Sequence, residues 1–101
     1  MKAARIDNNQ HAIIEKLGKI PGVTVVTGHD DILVGYRGFT LWYEIKNPDH
    51  IGKDGNIIPS KIKKSQKALL ETWRGHYRVV WDYEQIREDL KIIMDLPVLK
   101  K

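Results

Sequence analysis

The sequence contains no cysteine. That excludes a disulfide framework, a thiolate zinc site and a cysteine nucleophile. No apolar run approaches the roughly 20 residues of a membrane span, and the N-terminus lacks the apolar stretch of a signal peptide. A soluble protein of the cytoplasm is the resulting expectation. There is no Gly-rich phosphate loop and no readable Ser-His-Asp pattern. The four histidines, His11, His29, His50 and His76, are scattered without metal-ligand spacing. No repeat, low-complexity segment or second domain is visible. At 101 residues the chain is expected to be one domain spanning 1–101, able to bury about two-thirds of its surface without staples.

Lys and Arg number 17 against 13 acidic residues, a net charge of +4. That balance favours an anionic partner, nucleic acid first. Its placement says more than its size. Lys53, Lys61, Lys63, Lys64 and Lys67 gather in one stretch of the chain, just after the segment with the strongest chemical pattern.

That segment is Asp31 to Lys46. It reads as two strands joined at Arg37-Gly38, where glycine accepts a positive φ without a Cβ clash. With those two residues as the loop, Tyr36 pairs with Phe39, Val34 with Leu41, Ile32 with Tyr43 and Asp31 with Glu44. Directly opposed residues share a face, and Lys46, two past Glu44, shares it as well. Two carboxylates and an ammonium therefore converge at the open end of the hairpin. The other face carries Ile32, Val34, Tyr36, Phe39, Leu41, Tyr43 and Ile45, a core face. Opposed like charges destabilise a sheet by roughly 0.2–1 kcal/mol. A divalent cation shared by Asp31 and Glu44 would offset this, since hard cations take one or two carboxylates plus phosphate and water. Neutralisation of a polar sheet end by Lys46 is the plainer alternative.

The rest of the chain frames this hairpin. Asp7, Asn8 and Asn9 supply N-cap chemistry for a helix over about 8–18, ended by Gly18 and Pro21-Gly22. Its apolar stripe is Ile13, Ile14, Leu17 and Ile20, and Gln10 falls on that stripe, as a cap or as a site residue. Val23–Thr27 reads as the first strand. Gly28-His29-Asp30 then turns into the hairpin. Asp31 is the ligand candidate and Asp30 the lesser one, while His29 reads as a turn residue, with an auxiliary acid or a DNA contact as the alternatives. Residues 47–61 form a long loop, either a substrate-contacting flap or a disordered insertion. A second helix is expected over about 62–74, with Ile62, Leu69, Leu70 and Trp73 inward and Gln66 on the same stripe. Tyr77–Trp81 is a fourth strand, parallel to one neighbour because a helix precedes it. A third helix runs from Glu84 to about Met94. The fold class is α/β (α+β), in the order αβββαβα, with a mixed sheet flanked by helices.

The order αβββαβ, with Asp31 and Glu44-Ile45-Lys46 on consecutive hairpin strands, resembles the PD-(D/E)XK nuclease superfamily and its restriction-endonuclease-like core. The Pro-Asp element appears as Asp30-Asp31, so its proline is absent, and the Glu-X-Lys element is intact. The run Ala4-Arg5-Ile6-Asp7-Asn8-Asn9-Gln10, the stretch Asp31–Gly38, Ser65-Gln66 opening a helix and Trp73-Arg74-Gly75 before a valine-rich strand look like small phage-type nucleases of the VRR-NUC or Holliday-junction-resolvase-like kind. The long loop at 47–61 and Lys63-Lys64, where such proteins often carry Thr-Pro or Ser-Pro, are departures.

The resemblance implies a metal-dependent endodeoxyribonuclease, structure-selective for branched DNA, working as a homodimer and, if phage-encoded, in the host cytoplasm. Asp31 and Glu44, helped by the Ile45 carbonyl, would bind Mg²⁺ or Mn²⁺. Lys46 would position a water or stabilise developing charge. Gln66 would orient the nucleophile or a phosphate, and Gln10 would stand behind these residues or touch the DNA backbone. Lys61, Lys63, Lys64 and Lys67 would contact DNA. Phe39, Trp42, Trp81 and the third helix offer apolar surface for a second copy, although a core role would account for most of it. Lys46→Ala is expected to abolish cutting and leave the fold intact. A non-catalytic nucleic-acid-binding module with a structural acidic cluster is the alternative.

Overall fold

A computed structural model describes residues 8–28 and 31–96. His29, Asp30 and residues 4–7, all weighed above, lie outside the described residues. The elements are α1 (Asn8–Gly18), β1 (Val23–Thr27), β2 (Asp31–Tyr36), β3 (Phe39–Ile45), α2 (Lys64–Thr72), β4 (Arg78–Val80) and α3 (Tyr83–Asp95). The strands form one sheet in the order β1-β2-β3-β4. The first three are antiparallel neighbours, and β4 lies parallel to β3. The protein is therefore α+β, with a four-stranded mixed sheet and three helices. The parallel pair follows from α2, since a helical crossover returns the chain in the direction it left.

The hairpin register is the one the pattern predicts. Asp31 pairs with Glu44, Ile32 with Tyr43, Val34 with Leu41 and Tyr36 with Phe39. The turn places Arg37 at φ 54 and Gly38 at φ 86, the two positive angles that a two-residue turn matching strand twist requires. Burial alternates along β2, with Ile32, Val34 and Tyr36 inside and Leu33 outside. The same period along β3 turns Leu41, Tyr43 and Ile45 inward. Ile13 and Leu17 of α1 and Ile86, Leu90 and Ile93 of α3 close over that face, so α1 and α3 share one side of the sheet.

Phe39 departs from the expectation. It sits on the inner face by register yet is largely exposed, although Tyr36 directly opposite is buried.

α2 is shorter than its pattern. Lys63 is extended (φ −67°, ψ 155°), and its N–H donates to Gln66 Oε1 at 3.0 Å, so the helix begins one residue later. Trp73 is extended as well and ends it. Leu70 and Trp73, expected inside, are exposed, and Gln66 is the helix's buried residue. The 47–61 segment is internally bonded. It holds 3₁₀ turns at Pro48–His50 and Pro59–Lys61, an Ile51–Ile57 bridge and an Ile58 N–H bond to the His50 carbonyl at 2.8 Å. No helix among the described residues is long and apolar enough to cross a membrane.

Candidate active site

The face of the sheet opposite α1 and α3 gathers the polar residues. Asp31 ends β2 and stands directly across from Glu44 in β3. Glu44 is buried, as is Lys46 just beyond the strand. Lys46 Nζ lies 3.9 Å from Glu44 Oε2. Its backbone N–H continues the parallel ladder to the Val80 carbonyl at 2.8 Å, which fixes where the side chain leaves the sheet. The three polar residues thus stand on one face through strand alternation alone. Ile45 turns its side chain into the core, so only its carbonyl remains as a donor to the site.

Other residues shape the group. Trp42, one alternation before Glu44, donates its indole N–H to Asp31 Oδ2 at 2.8 Å. Tyr77 packs against Trp42 with centroids 4.7 Å apart. Burial, and after it the negative charges of Glu44 and Asp31, push the Tyr77 hydroxyl up to about 12. Both carboxylates are therefore close enough to act on one phenol. Gly28 lies against Asp31 so closely that a Cβ there would collide with Asp31 Oδ1. A depression of about 130 Å³ opens beside Asp31 between Thr27, Gly28 and Leu33.

Asn9 was not legible as a site residue. Its amide donates to the Lys46 carbonyl at 2.9 Å and to the Trp81 carbonyl at 3.3 Å, while its Oδ1 is buried without a hydrogen bond. It ties the start of α1 to the ends of β3 and β4. Helical spacing had favoured Gln10, its half-buried neighbour. The signal that points to Asn9 is a poor helix former in a first turn that already has capping residues ahead of it. Trp42 and Trp81, weighed as dimer surface or core, are half-buried; the Trp42 indole is engaged at Asp31 and the Trp81 backbone carbonyl at Asn9. Gln66 is buried at the start of α2 with its oxygen spent on the Lys63 N–H, which leaves its amide NH₂ as the group it can offer. Lys61, Lys63, Lys64 and Lys67 are exposed around that helix start.

Known protein families, curated proteins and solved structures offer no match to this chain. The site therefore rests on its own geometry. Two carboxylates face one ammonium, leaving a net negative charge at a partly closed position. Among the described residues no group of three or more His, Cys, Asp or Glu forms a ready metal cage. Two carboxylates with a nearby backbone carbonyl is nonetheless a donor set that suits Mg²⁺, which keeps waters and completes its shell with phosphate oxygens. The residues fit such an ion as an open site. Another cavity, about 230 Å³ between α3 and the hairpin, is lined largely by Ile20, Tyr36, Tyr83, Leu90 and Met94 and brings no acidic pair together.

Proposed function

We propose that the protein is a metal-dependent endodeoxyribonuclease of the PD-(D/E)XK kind, hydrolysing phosphodiester bonds in branched or otherwise distorted DNA. One observation carries the reading: Asp31 and Glu44 are opposed on neighbouring strands, with Lys46 reaching the same carboxylate. A sheet gains nothing from opposed carboxylates, so a recruited cation gives the pair a purpose. The αβββαβ order with a parallel fourth strand is consistent with a restriction-endonuclease-like core.

Asp31 and Glu44, with the Ile45 carbonyl, would hold Mg²⁺ or Mn²⁺. Such an ion polarises a phosphoryl oxygen and lowers the pKa of a bound water. Trp42 holds Asp31 by donating its indole N–H to Oδ2, so the carboxylate is already oriented. Lys46 places a positive charge 3.9 Å from Glu44, where it can orient a water or stabilise charge developing on phosphate. The Gln66 amide NH₂ would donate to a phosphate oxygen. Lys61, Lys63, Lys64 and Lys67 would neutralise backbone phosphates and make binding salt-dependent. Symmetric nicks at a four-way junction would require two copies related by a two-fold axis.

The test is cleavage of end-labelled junction, flap, single-stranded and duplex DNA with Mg²⁺, Mn²⁺ or EDTA. Lys46 is buried beside Glu44, and truncating one partner of a buried pair destabilises by about 3–5 kcal/mol. Lys46→Met leaves Glu44 without its partner as Lys46→Ala does, but it keeps the packing of the apolar stem and so avoids the added cost of a cavity, which makes it the better variant. Metal-dependent cutting that falls by a factor of about 10² or more in Lys46→Met, in a protein that still melts cooperatively, is the expected result. DNA binding with no cutting in any metal would instead make this a nucleic-acid-binding module with a structural acidic cluster.

A further inference from the structure

We infer that Trp73 is a stacking platform for an unpaired nucleobase beside the acidic pair, so that the site takes single-stranded or frayed DNA in preference to intact duplex. The inference rests on the nuclease reading for its ligand class and names the part of the substrate that is read.

Trp73 is 49% exposed, although its position in the helical pattern predicted burial. It is also well held. Its backbone N–H donates to the Leu69 carbonyl at 2.9 Å, and its indole N–H donates to the His76 carbonyl at 3.3 Å. A Cβ at position 75 would lie 2.8 Å from the Trp73 indole nitrogen, so glycine there lets the ring lie against the chain. Trp42 packs against it edge to face, with centroids 5.6 Å apart and planes at 88°. A side chain that gains little from burial yet is fixed on several sides is preorganised for a ligand.

Its surroundings select the ligand. Trp42 lies between Trp73 and Tyr77 and bonds Asp31 Oδ2 at 2.8 Å. Trp73 is thus the outermost ring of an aromatic cluster that ends on a site carboxylate. Arg74, next to Trp73 in the chain, is exposed, and so are Lys64 and Lys67 towards the other end of α2, with Glu71 the one carboxylate between them in the chain; a polyanionic strand running from the ring to the helix start would meet these cations. Bases within a duplex already stack on one another and present no free face. An unpaired base does, and aromatic stacking of this kind tolerates any base because each has a π-face.

Binding measured in EDTA separates this site from the chemistry. The ligands are a short thymidylate oligomer, an abasic deoxyribose-phosphate strand of the same length and a blunt hairpin duplex. The proteins are wild type, Trp73→Phe and Trp73→Leu, each checked by thermal melting. Wild type should bind the thymidylate strand roughly tenfold more tightly than the abasic one. Trp73→Leu, which keeps apolar contact with Trp42 but has no π-face, should erase that margin and leave hairpin affinity within about twofold, while Trp73→Phe should retain most of it. Equal wild-type affinity for the thymidylate and abasic strands overturns the platform, as does an equal loss on all three ligands in Trp73→Leu. Discrimination in a protein that never cuts overturns the nuclease reading alone. Cutting without discrimination overturns the platform alone.

Discussion

Asp31 has an opposed carboxylate across the strand pair, an indole N–H on one oxygen and a glycine pressed against the other. Its role can be separated from stability by removing charge and keeping shape. Asparagine at this position still accepts from Trp42 but no longer repels Glu44. Asp31→Asn should therefore raise stability in EDTA by about 0.5 kcal/mol and lose the stabilisation that Mg²⁺ confers on wild type. Urea unfolding with and without Mg²⁺ reads both quantities. A loss of stability in EDTA would mean that Asp31 serves the fold and not the site. Asp31, Glu44 and Lys46 were legible because period-two alternation and a short turn determine cross-strand partners. Asn9 and Trp42 were not, because their bonds to Lys46 and Asp31 depend on three-dimensional reach and not on spacing.

At the scale of elements, the β2–β3 hairpin delivers the site, and its turn sets the register. A slip of one residue would turn Asp31 and Glu44 into the core and Ile32 and Tyr43 out of it. Gly38, at φ 86, is where the turn is most sensitive to a side chain. Gly38→Ala should destabilise by about 1 kcal/mol, with the sheet's circular dichroism unchanged, as measured by chemical unfolding. No loss would show that another turn conformation is equally accessible. α2 shows where periodicity misleads. Its spacing suggested an inward stripe of Leu70 and Trp73 together with Gln66, but the helix stops at Thr72, and of these three Gln66 alone is buried. Gln66 caps its own helix start, and a cap outweighs a stripe in a helix of nine residues.

Across the whole molecule, a polar network links the sheet to α3. The Tyr43 hydroxyl donates to Asp89 Oδ2 and Arg78 to Asp89 Oδ1, both at 2.7 Å. His76 Nδ1 accepts the Trp42 backbone N–H at 3.0 Å, which joins this network to the site strand. Burial, and then the Asp89 hydrogen bond and charge, raise the Tyr43 hydroxyl far above its ordinary value. Tyr77 is raised to about 12. Both phenols hold their protons more tightly folded than unfolded. That stability is fully present below the unfolded value near 10; the share of Tyr77 is lost as pH rises through about 12, while that of Tyr43 goes on falling above it. Melting temperature in EDTA should fall steeply between pH 10 and about 12, and Tyr77→Phe should flatten the first part of the fall. A flat profile over that interval would show that neither phenol is coupled to folding.

The element order, the hairpin register, the inward residues of β2 and β3 and the convergence of Asp31, Glu44 and Lys46 were all determined by the sequence alone. Each follows from local rules: alternation with period two, a turn with two positive φ angles and helices bounded by caps and glycines. Only the tertiary structure decided the short α2, the exposed Trp73, the self-bonded 47–61 segment and the tie of Asn9 to the Lys46 carbonyl. These depend on which distant groups compete for a backbone N–H, a carbonyl or an aromatic edge. Spacing along the chain carries no record of that competition until the sheet has brought the competitors together.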